Sequence, residues 1–198
     1  MKYAALILVV TIMLAAALVA GGSIINPLSL NGADAMILIK LRLPRMAAAF
    51  TAGAALAAAG HVFQALYRNP LADSYTTGIS GGASFFAAGA IILGTPLSAV
   101  PLIAFAGAIL SSLATAALSA RIRLDDARLV LAGFAQSMFF SSALILLFTF
   151  SDSRSVHKAM LWMMGDLSSA RYALLGPAAI SAGLVMLLLI ARARMLDI

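Results

Sequence analysis

The sequence contains no cysteine and no glutamate, and charged residues make up only 10% of its 198 residues. The absence of cysteine excludes disulfides, thiolate metal sites and cysteine nucleophiles. Seven aspartates and two histidines are therefore the only titratable side chains available for chemistry near neutral pH. No catalytic or nucleotide-binding motif is present, because the glycine-rich run at 78–82 lacks the Lys-Ser/Thr that completes a phosphate-binding loop.

Hydrophobic residues are what the chain has in abundance, at 63% of the sequence and a mean hydropathy of +1.06. A soluble domain of this size could not hide so much apolar surface, so the composition predicts a membrane protein. The pI of about 10.3 suggests nucleic-acid binding at first. The basic residues, however, occur in short clusters between apolar runs and do not form one polar face, which argues against it.

The apolar runs predict an all-α membrane bundle, since unpaired backbone groups are not tolerated in lipid. We expect one domain, 1–198, with no linker or internal repeat. The segment at 3–20 could be a signal peptide, but its length favours an uncleaved first helix. The six predicted spans are 3–21, 46–66, 76–94, 97–119, 128–150 and 172–191.

Two motifs flank the second predicted span: an R-L-P-R run at 42–45, and a run from Gln64 to Ala83 around Asn-Pro-Leu-Ala. Together they resemble the permease subunits of binding-protein-dependent ABC importers for iron chelates, haem and cobalamin (the FecCD-type family). Ser74 stands where the family has proline. The matching residues are Arg42, Leu43, Pro44, Arg45, Gln64, Leu66, Asn69, Pro70, Leu71, Ala72, Gly78, Ile79, Ser80, Gly82 and Ala83.

The resemblance implies the N-terminal part of a ten-helix permease that forms a translocation path by alternating access. It implies a second permease copy, an external substrate-binding protein and a cytoplasmic ATP-binding subunit, in a bacterial or archaeal inner membrane. It implies no cofactor or metal site, no nucleic acid, and no enzymatic activity in this chain. The N-terminus is then cytoplasmic, which puts seven basic residues inside and six outside, a weak positive-inside signal.

Two arginines, Arg42 and Arg45, are predicted at the outer start of the second span. The resemblance implies that they pair with acidic residues of the binding protein, and we expect Arg42 to be exposed. The alternative for both is simple anchoring at the lipid headgroups, and Arg45 could also cap or pair within the fold.

The fifth predicted span carries small and polar residues after a Leu-Ala-Gly run that resembles the family's path-lining helix. By spacing, Gly133, Gln136 or Ser137, and Ser141 share one face. Such a face either lines water or packs closely against another helix, and the resemblance favours the path.

Two further segments carry candidate residues. The run Trp162, Met163, Met164, Gly165 resembles the family's short helix that closes the path outwardly, although interfacial anchoring or packing would use the same residues. The polar turn after the second span contains Asn69, Pro70 and Asp73, and we expect a structural role there. His61 and Gln64 just before it could line a pore or bond a neighbouring helix.

Two other functions stay open at this point. Relative to the family the sequence ends before the loop that contacts the ATPase, so it could be a truncated fragment or part of a split permease. A secondary transporter would need titratable groups within the membrane, and the aspartates fall at the ends of the predicted spans.

Overall fold

The structure is a computed structural model, and it describes residues 2–19, 31–122 and 126–165, together with 167, 172, 176, 179–180, 182–183 and 187. Within these residues it is helical, with no strand. The prediction of an all-α membrane bundle is therefore confirmed. Most of the sixth predicted span, 172–191, lies outside the described residues.

The helices follow the predicted spans except at the second one. They are α1 (Lys2–Val19), α2 (Gly32–Ile37), a π-helical turn (Leu38–Arg42), α3 (Leu43–Leu66), α4 (Ile79–Ile92), α5 (Val100–Ile122), α6 (Asp126–Thr149) and α7 (Ser153–Met163). By length and composition, the stretches Gly32–Leu66, Val100–Leu118 and Arg128–Thr149 could each cross a membrane. Ile7–Val19 and Ile79–Ile92 are shorter apolar helices.

The predicted start of the second span at residue 46 is wrong. Helix α2, the π-helical turn and α3 form one helical stretch of 35 residues that begins at Gly32. Proline inside a helix removes a backbone hydrogen bond and usually ends or kinks it. Here the π-helical turn just before Pro44 takes up the disturbance, so the helix continues through it.

The backbone contacts divide the chain into two compact units, which we describe separately. The first unit is Met1–Leu56 with Leu167–Ala191, and the second is Ala57–Asp166 with Arg192–Ile198. In the second unit, helices α4, α5, α6 and α7 pack around a core of small and branched side chains. That core consists of Ala87, Ala88, Ala90, Ile91, Val100, Ala104 and Ala159.

The crossing of α4 and α5 is close because it contains glycines. A β-carbon at Gly82 would lie 2.5 Å from Ser111 Cβ and 2.9 Å from the Gly107 carbonyl oxygen. A β-carbon at Gly107 would in turn lie 2.7 Å from Phe86 Cβ. Lipid offers no hydrophobic drive between helices, so contact of this kind supplies the attraction. Gly82 and Gly107 therefore serve helix packing.

Candidate functional site

The second unit contains a cavity of about 290 Å³ between α4 and α6. The turn before α4 lies at one end of it, and Met163 of α7 contributes to its wall. Its lining residues are Tyr75, Thr76, Ser80, Gly81, Ser84, Phe134, Ser137, Phe140, Ser141, Leu144 and Met163.

Hydroxyl groups line both helical walls of this cavity. Ser80 and Ser84 are four residues apart on α4, and Ser137 and Ser141 have the same spacing on α6, so each pair shares one helix face. Aromatic rings and aliphatic side chains fill the remaining wall, and no lining side chain carries a charge. The cavity can therefore hydrogen-bond a guest at several points without presenting it with a fixed charge.

Two of the predicted path residues lie beside the cavity and are not part of its lining. Gly133 packs against the turn before α4, where a β-carbon would come within 2.7 Å of the Thr76 carbonyl oxygen. Gln136 is half-buried and points towards α5: its amide nitrogen donates to the Ser111 hydroxyl at 2.7 Å. Its amide oxygen accepts from the Thr115 hydroxyl at 2.5 Å. The predicted face is thus split, with packing at Gly133 and Gln136 and cavity lining at Ser137 and Ser141.

The same network ties the turn before α4 to both neighbouring helices. Ser111 donates to the Gly78 carbonyl at 2.7 Å, and Ser137 donates to the Tyr75 carbonyl. Gly78 has a φ of 81°, a conformation that glycine adopts without strain. These contacts fix the cavity end formed by Tyr75 and Thr76.

The predicted structural turn is held by its own side chains. The Asn69 side chain accepts from the Leu71 N–H at 2.9 Å. The Asp73 carboxylate accepts from the N–H groups of Tyr75 and Thr76 at 2.9 and 2.6 Å. Pro70, which lacks an N–H, lies between these two groups. His61 and Gln64, before the turn, are exposed, and the described residues contain no cluster of three or more His, Asp or Glu.

The predicted outer-gate residues, at the end of α7 and just after it, lie in four different settings. Trp162 packs against the core of the unit, Met163 lines the cavity, and Met164 is 82% exposed. Gly165 ends the helix with a φ of 87°. The helix begins at Asp152, whose carboxylate accepts from the Ser155 N–H; that hydrogen bond lowers the pKa of Asp152.

Arg42, in the first unit, does not have the exposure expected of it. Its side chain is half-buried, and Nη1 donates to the carbonyls of Leu18 and Val19 at 2.6 and 2.9 Å. These carbonyls belong to the last turn of α1, which lacks partners of its own. The prediction that Arg42 is exposed is therefore wrong, because it caps α1. Arg45 is exposed, and both arginines lie inside the long helical stretch and not at its start.

Sequence reasoning missed several polar residues that shape the site. Ser80 and Ser84 on α4 line the cavity, and Ser111 and Thr115 on α5 bind Gln136. A usable signal was present, since each pair consists of hydroxyl residues four positions apart in an apolar span. Which helix each pair faces depends on tertiary packing, which spacing alone does not give.

Apolar helices around an uncharged, hydroxyl-lined cavity define a multi-pass membrane protein. Comparison with known proteins places it more narrowly, because the model of the FecCD transport family matches residues 3–198. The chain therefore belongs to the FecCD transport family.

Individual relatives agree with this assignment. The chain is 37% identical over 148 residues to the vitamin B12 import system permease BtuC of Vibrio parahaemolyticus, covering 73% of the chain and 44% of that protein. It is 36% identical over 137 residues to a Helicobacter pylori protein named as an iron chelatin transport system permease, covering 69% and 41%. The chain thus spans less than half the length of these relatives.

A solved structure resembles the chain over almost its whole length. It is described as a metal-chelate type ABC transporter in an inward-facing conformation. The TM-score is 0.78 at 26% sequence identity, and the match covers 98% of this chain and 62% of the other.

Proposed function

We propose that this chain is a permease subunit of an ABC importer that carries an iron chelate, haem or cobalamin across the cytoplasmic membrane. The observation that supports this most is the cavity along α4 and α6, with Ser137 and Ser141 on its wall. Family membership and the names of its relatives supply the substrate class. The chain itself is not an enzyme in this proposal, since a separate subunit hydrolyses ATP.

The chemistry of the cavity suits a bulky chelate better than a bare metal ion. A bare cation in the membrane needs carboxylates, imidazoles or many carbonyl oxygens to replace its water. The cavity offers hydroxyls, aromatic rings and one thioether, and no charged group. A chelate already satisfies its metal internally and presents amides, hydroxyls or rings to its surroundings, which this lining can meet.

The proposed mechanism is alternating access between two copies of the permease. A binding protein docks outside, and Arg45, which is exposed, offers it a positive charge. Arg42 contributes by holding the end of α1. An ATP-binding subunit acts at the cytoplasmic side, and the residues Trp162 to Gly165 close the path towards the outside.

Thiol labelling tests the path directly, because the chain contains no cysteine. We expect Ser137→Cys and Ser141→Cys to react with a membrane-impermeant thiol reagent, at rates that change when substrate or nucleotide is added to the complete transporter. Phe139→Cys is the matched control, since Phe139 lies on the same helix and does not line the cavity. If both serine positions are inert in every state while position 139 reacts, the path lies elsewhere.

A further inference from the structure

The π-helical turn Leu38–Arg42 leaves one backbone carbonyl without a backbone donor. At the end of this turn the Leu43 N–H donates to the Leu38 carbonyl, five residues back. The next residue, Pro44, has no N–H to offer. In an α-helix the Leu43 N–H would bond the Ile39 carbonyl, and in a π-helix residue 44 would do so. Because Leu43 bonds Leu38 and Pro44 has no N–H, the Ile39 carbonyl receives neither bond.

A side chain from far along the sequence bonds this carbonyl instead. The Tyr172 hydroxyl donates to the Ile39 carbonyl oxygen at 2.7 Å, across 133 positions of sequence. Both residues belong to the first unit. A proline inside a helix leaves such a carbonyl without a backbone donor, and the Tyr172 hydroxyl supplies one in its place.

The same short segment is held from a second side. Arg42, the last residue of the π-helical turn, donates to the Leu18 and Val19 carbonyls at the end of α1. Hydrogen bonds from Tyr172 and through Arg42 thus hold the turn from two sides.

The register of this turn decides the direction of Arg45. A π-helical turn contains one residue more than the α-helical turn it replaces, and each residue advances a helix by about 100°. If the turn relaxed to α-helical geometry, every side chain after it would rotate to a different face. Arg45 lies only three residues after the end of the turn, so the direction of its side chain depends on whether the turn stays π-helical.

We propose that Tyr172 is a positioning residue, whose hydroxyl replaces the hydrogen bond that Pro44 cannot make and so keeps the Arg45 side chain exposed. This inference rests on the proposed function only in giving Arg45 a partner to meet. The hydrogen bond and its effect on the direction of Arg45 can be tested without that partner.

The test is a double-mutant cycle at Tyr172 and Pro44 in the full chain, embedded in lipid nanodiscs. Tyr172→Phe removes only the hydroxyl, and Pro44→Ala restores a backbone N–H beside Ile39. Because the chain has no cysteine, Arg45→Cys introduces a single thiol whose reaction with an impermeant reagent reports its exposure. Thermal unfolding of the same variants reports whether the hydrogen bond stabilises the fold.

With Pro44 present, we expect Tyr172→Phe to change the labelling rate at position 45 by about fivefold, in the range of one net hydrogen bond. It should also lower the unfolding temperature. In the Pro44→Ala background the same replacement should change the labelling rate by less than about twofold and should shift the unfolding temperature less. The reason is that the restored N–H makes the hydroxyl redundant. Tyr67→Phe, which removes a hydroxyl in the other unit, serves as the matched control.

Two results would overturn the proposal. An equal effect of Tyr172→Phe in both backgrounds would show that the hydroxyl does not stand in for the proline N–H. Coupling in the unfolding temperature with unchanged labelling at position 45 would reduce Tyr172 to a structural role. Docking of the binding protein to Arg45→Glu is measured in parallel, and unchanged docking there would count against the proposed function while the labelling still decides the role of Tyr172.

Discussion

The two units of the chain differ in the contacts that hold their helices together. In the second unit, α4 and α5 approach each other where side chains are missing, at Gly82 and Gly107. In the first unit, long polar side chains, Arg42 and Tyr172, reach to carbonyls that helix geometry leaves unpaired. The second unit combines a close glycine crossing with the Gln136 network, whereas in the first unit Arg42 and Tyr172 bond backbone carbonyls.

This difference teaches which substitutions each unit tolerates. Where helices touch through glycine, an added atom has nowhere to go, because the neighbouring backbone is as rigid as the helix itself. Where a side chain donates to a carbonyl that the helix leaves unpaired, removing the donor group leaves that carbonyl without its partner. Enlargement at the α4–α5 crossing should therefore cost more stability than the loss of a polar side chain in either unit.

Enlarging Gly82 should produce the largest effect. Gly82→Ala places a β-carbon 2.5 Å from Ser111 Cβ, which forces α4 and α5 apart. We expect a loss of about 3 kcal/mol of unfolding free energy, or failure to fold. Gly89→Ala on the same helix is the control, because its new β-carbon would meet only Leu147 Cδ2, at 3.9 Å. Equal losses at the two positions, measured by reversible unfolding in detergent, would contradict the account of the α4–α5 crossing.

Removing the Gln136 amide from the polar network of the second unit should lower the unfolding free energy less than Gly82→Ala does. Gln136→Leu leaves the hydroxyls of Ser111 and Thr115 without their amide partner. We expect a loss of about 1–2 kcal/mol, since the amide's interhelical hydrogen bonds to Ser111 and Thr115 are lost, although these hydroxyls keep the Gly78 and Ser111 carbonyls as acceptors. Gln64→Leu makes the same change at an exposed position and should cost little. If the two variants unfold alike, the network does not stabilise the unit.

These contacts also show how far sequence reasoning reaches. The helices, the membrane class and the family motif were all visible, since apolar runs and the 42–45 and 64–83 motifs need no tertiary information. The packing role of Gly133 and Gln136 could not be predicted from the sequence. Small and polar residues suit a water-filled path and a tight helix crossing equally. Only the packing of α5 and the turn against α6 separates those two uses.

The first unit shows a second limit of the sequence. The sequence predicts Arg42 and Arg45, on either side of Pro44, at the start of the second span. The helix instead begins at Gly32, and the π-helical turn accommodates the proline from within. The Ile39 carbonyl of this turn accepts from Tyr172, a donor distant in sequence that no local pattern reveals.

Truncation in the first unit gives the third prediction. Arg42→Ala removes the donors to the Leu18 and Val19 carbonyls and should cost about 1 kcal/mol of unfolding free energy. Arg45→Ala, on an exposed side chain, should leave stability within about 0.5 kcal/mol of the wild-type value. Binding-protein docking should instead fall on loss of Arg45 and become less dependent on salt. An Arg42→Ala protein as stable as the wild type would show that the contacts of Arg42 with α1 do not stabilise the fold.

The smallest expected effect is the pH dependence of α7. The hydrogen bond from the Ser155 N–H holds the pKa of Asp152 below its usual value of 3.8. A lowered pKa means that the carboxylate stabilises the folded state above its unfolded pKa, and that this contribution is lost as the pH falls through the folded pKa. Amide exchange at Ser155 should therefore speed up in acid, beyond the intrinsic pH trend. Asp152→Asn keeps an N-cap acceptor and should remove that dependence; a variant that still shows it would contradict this cause.

The central claim is that the cavity between α4 and α6 forms part of the translocation path, and filling it is the most direct test. Ser141→Phe places a ring where the cavity now lies, whereas Ser142→Phe makes the same change one position on, outside its lining. In the complete reconstituted transporter, supplied with binding protein and ATP, we expect Ser141→Phe to reduce chelate uptake at least about tenfold, the equivalent of roughly 1.4 kcal/mol. Ser142→Phe should keep most of the wild-type rate. Wild-type uptake by a correctly folded Ser141→Phe transporter would contradict the claim.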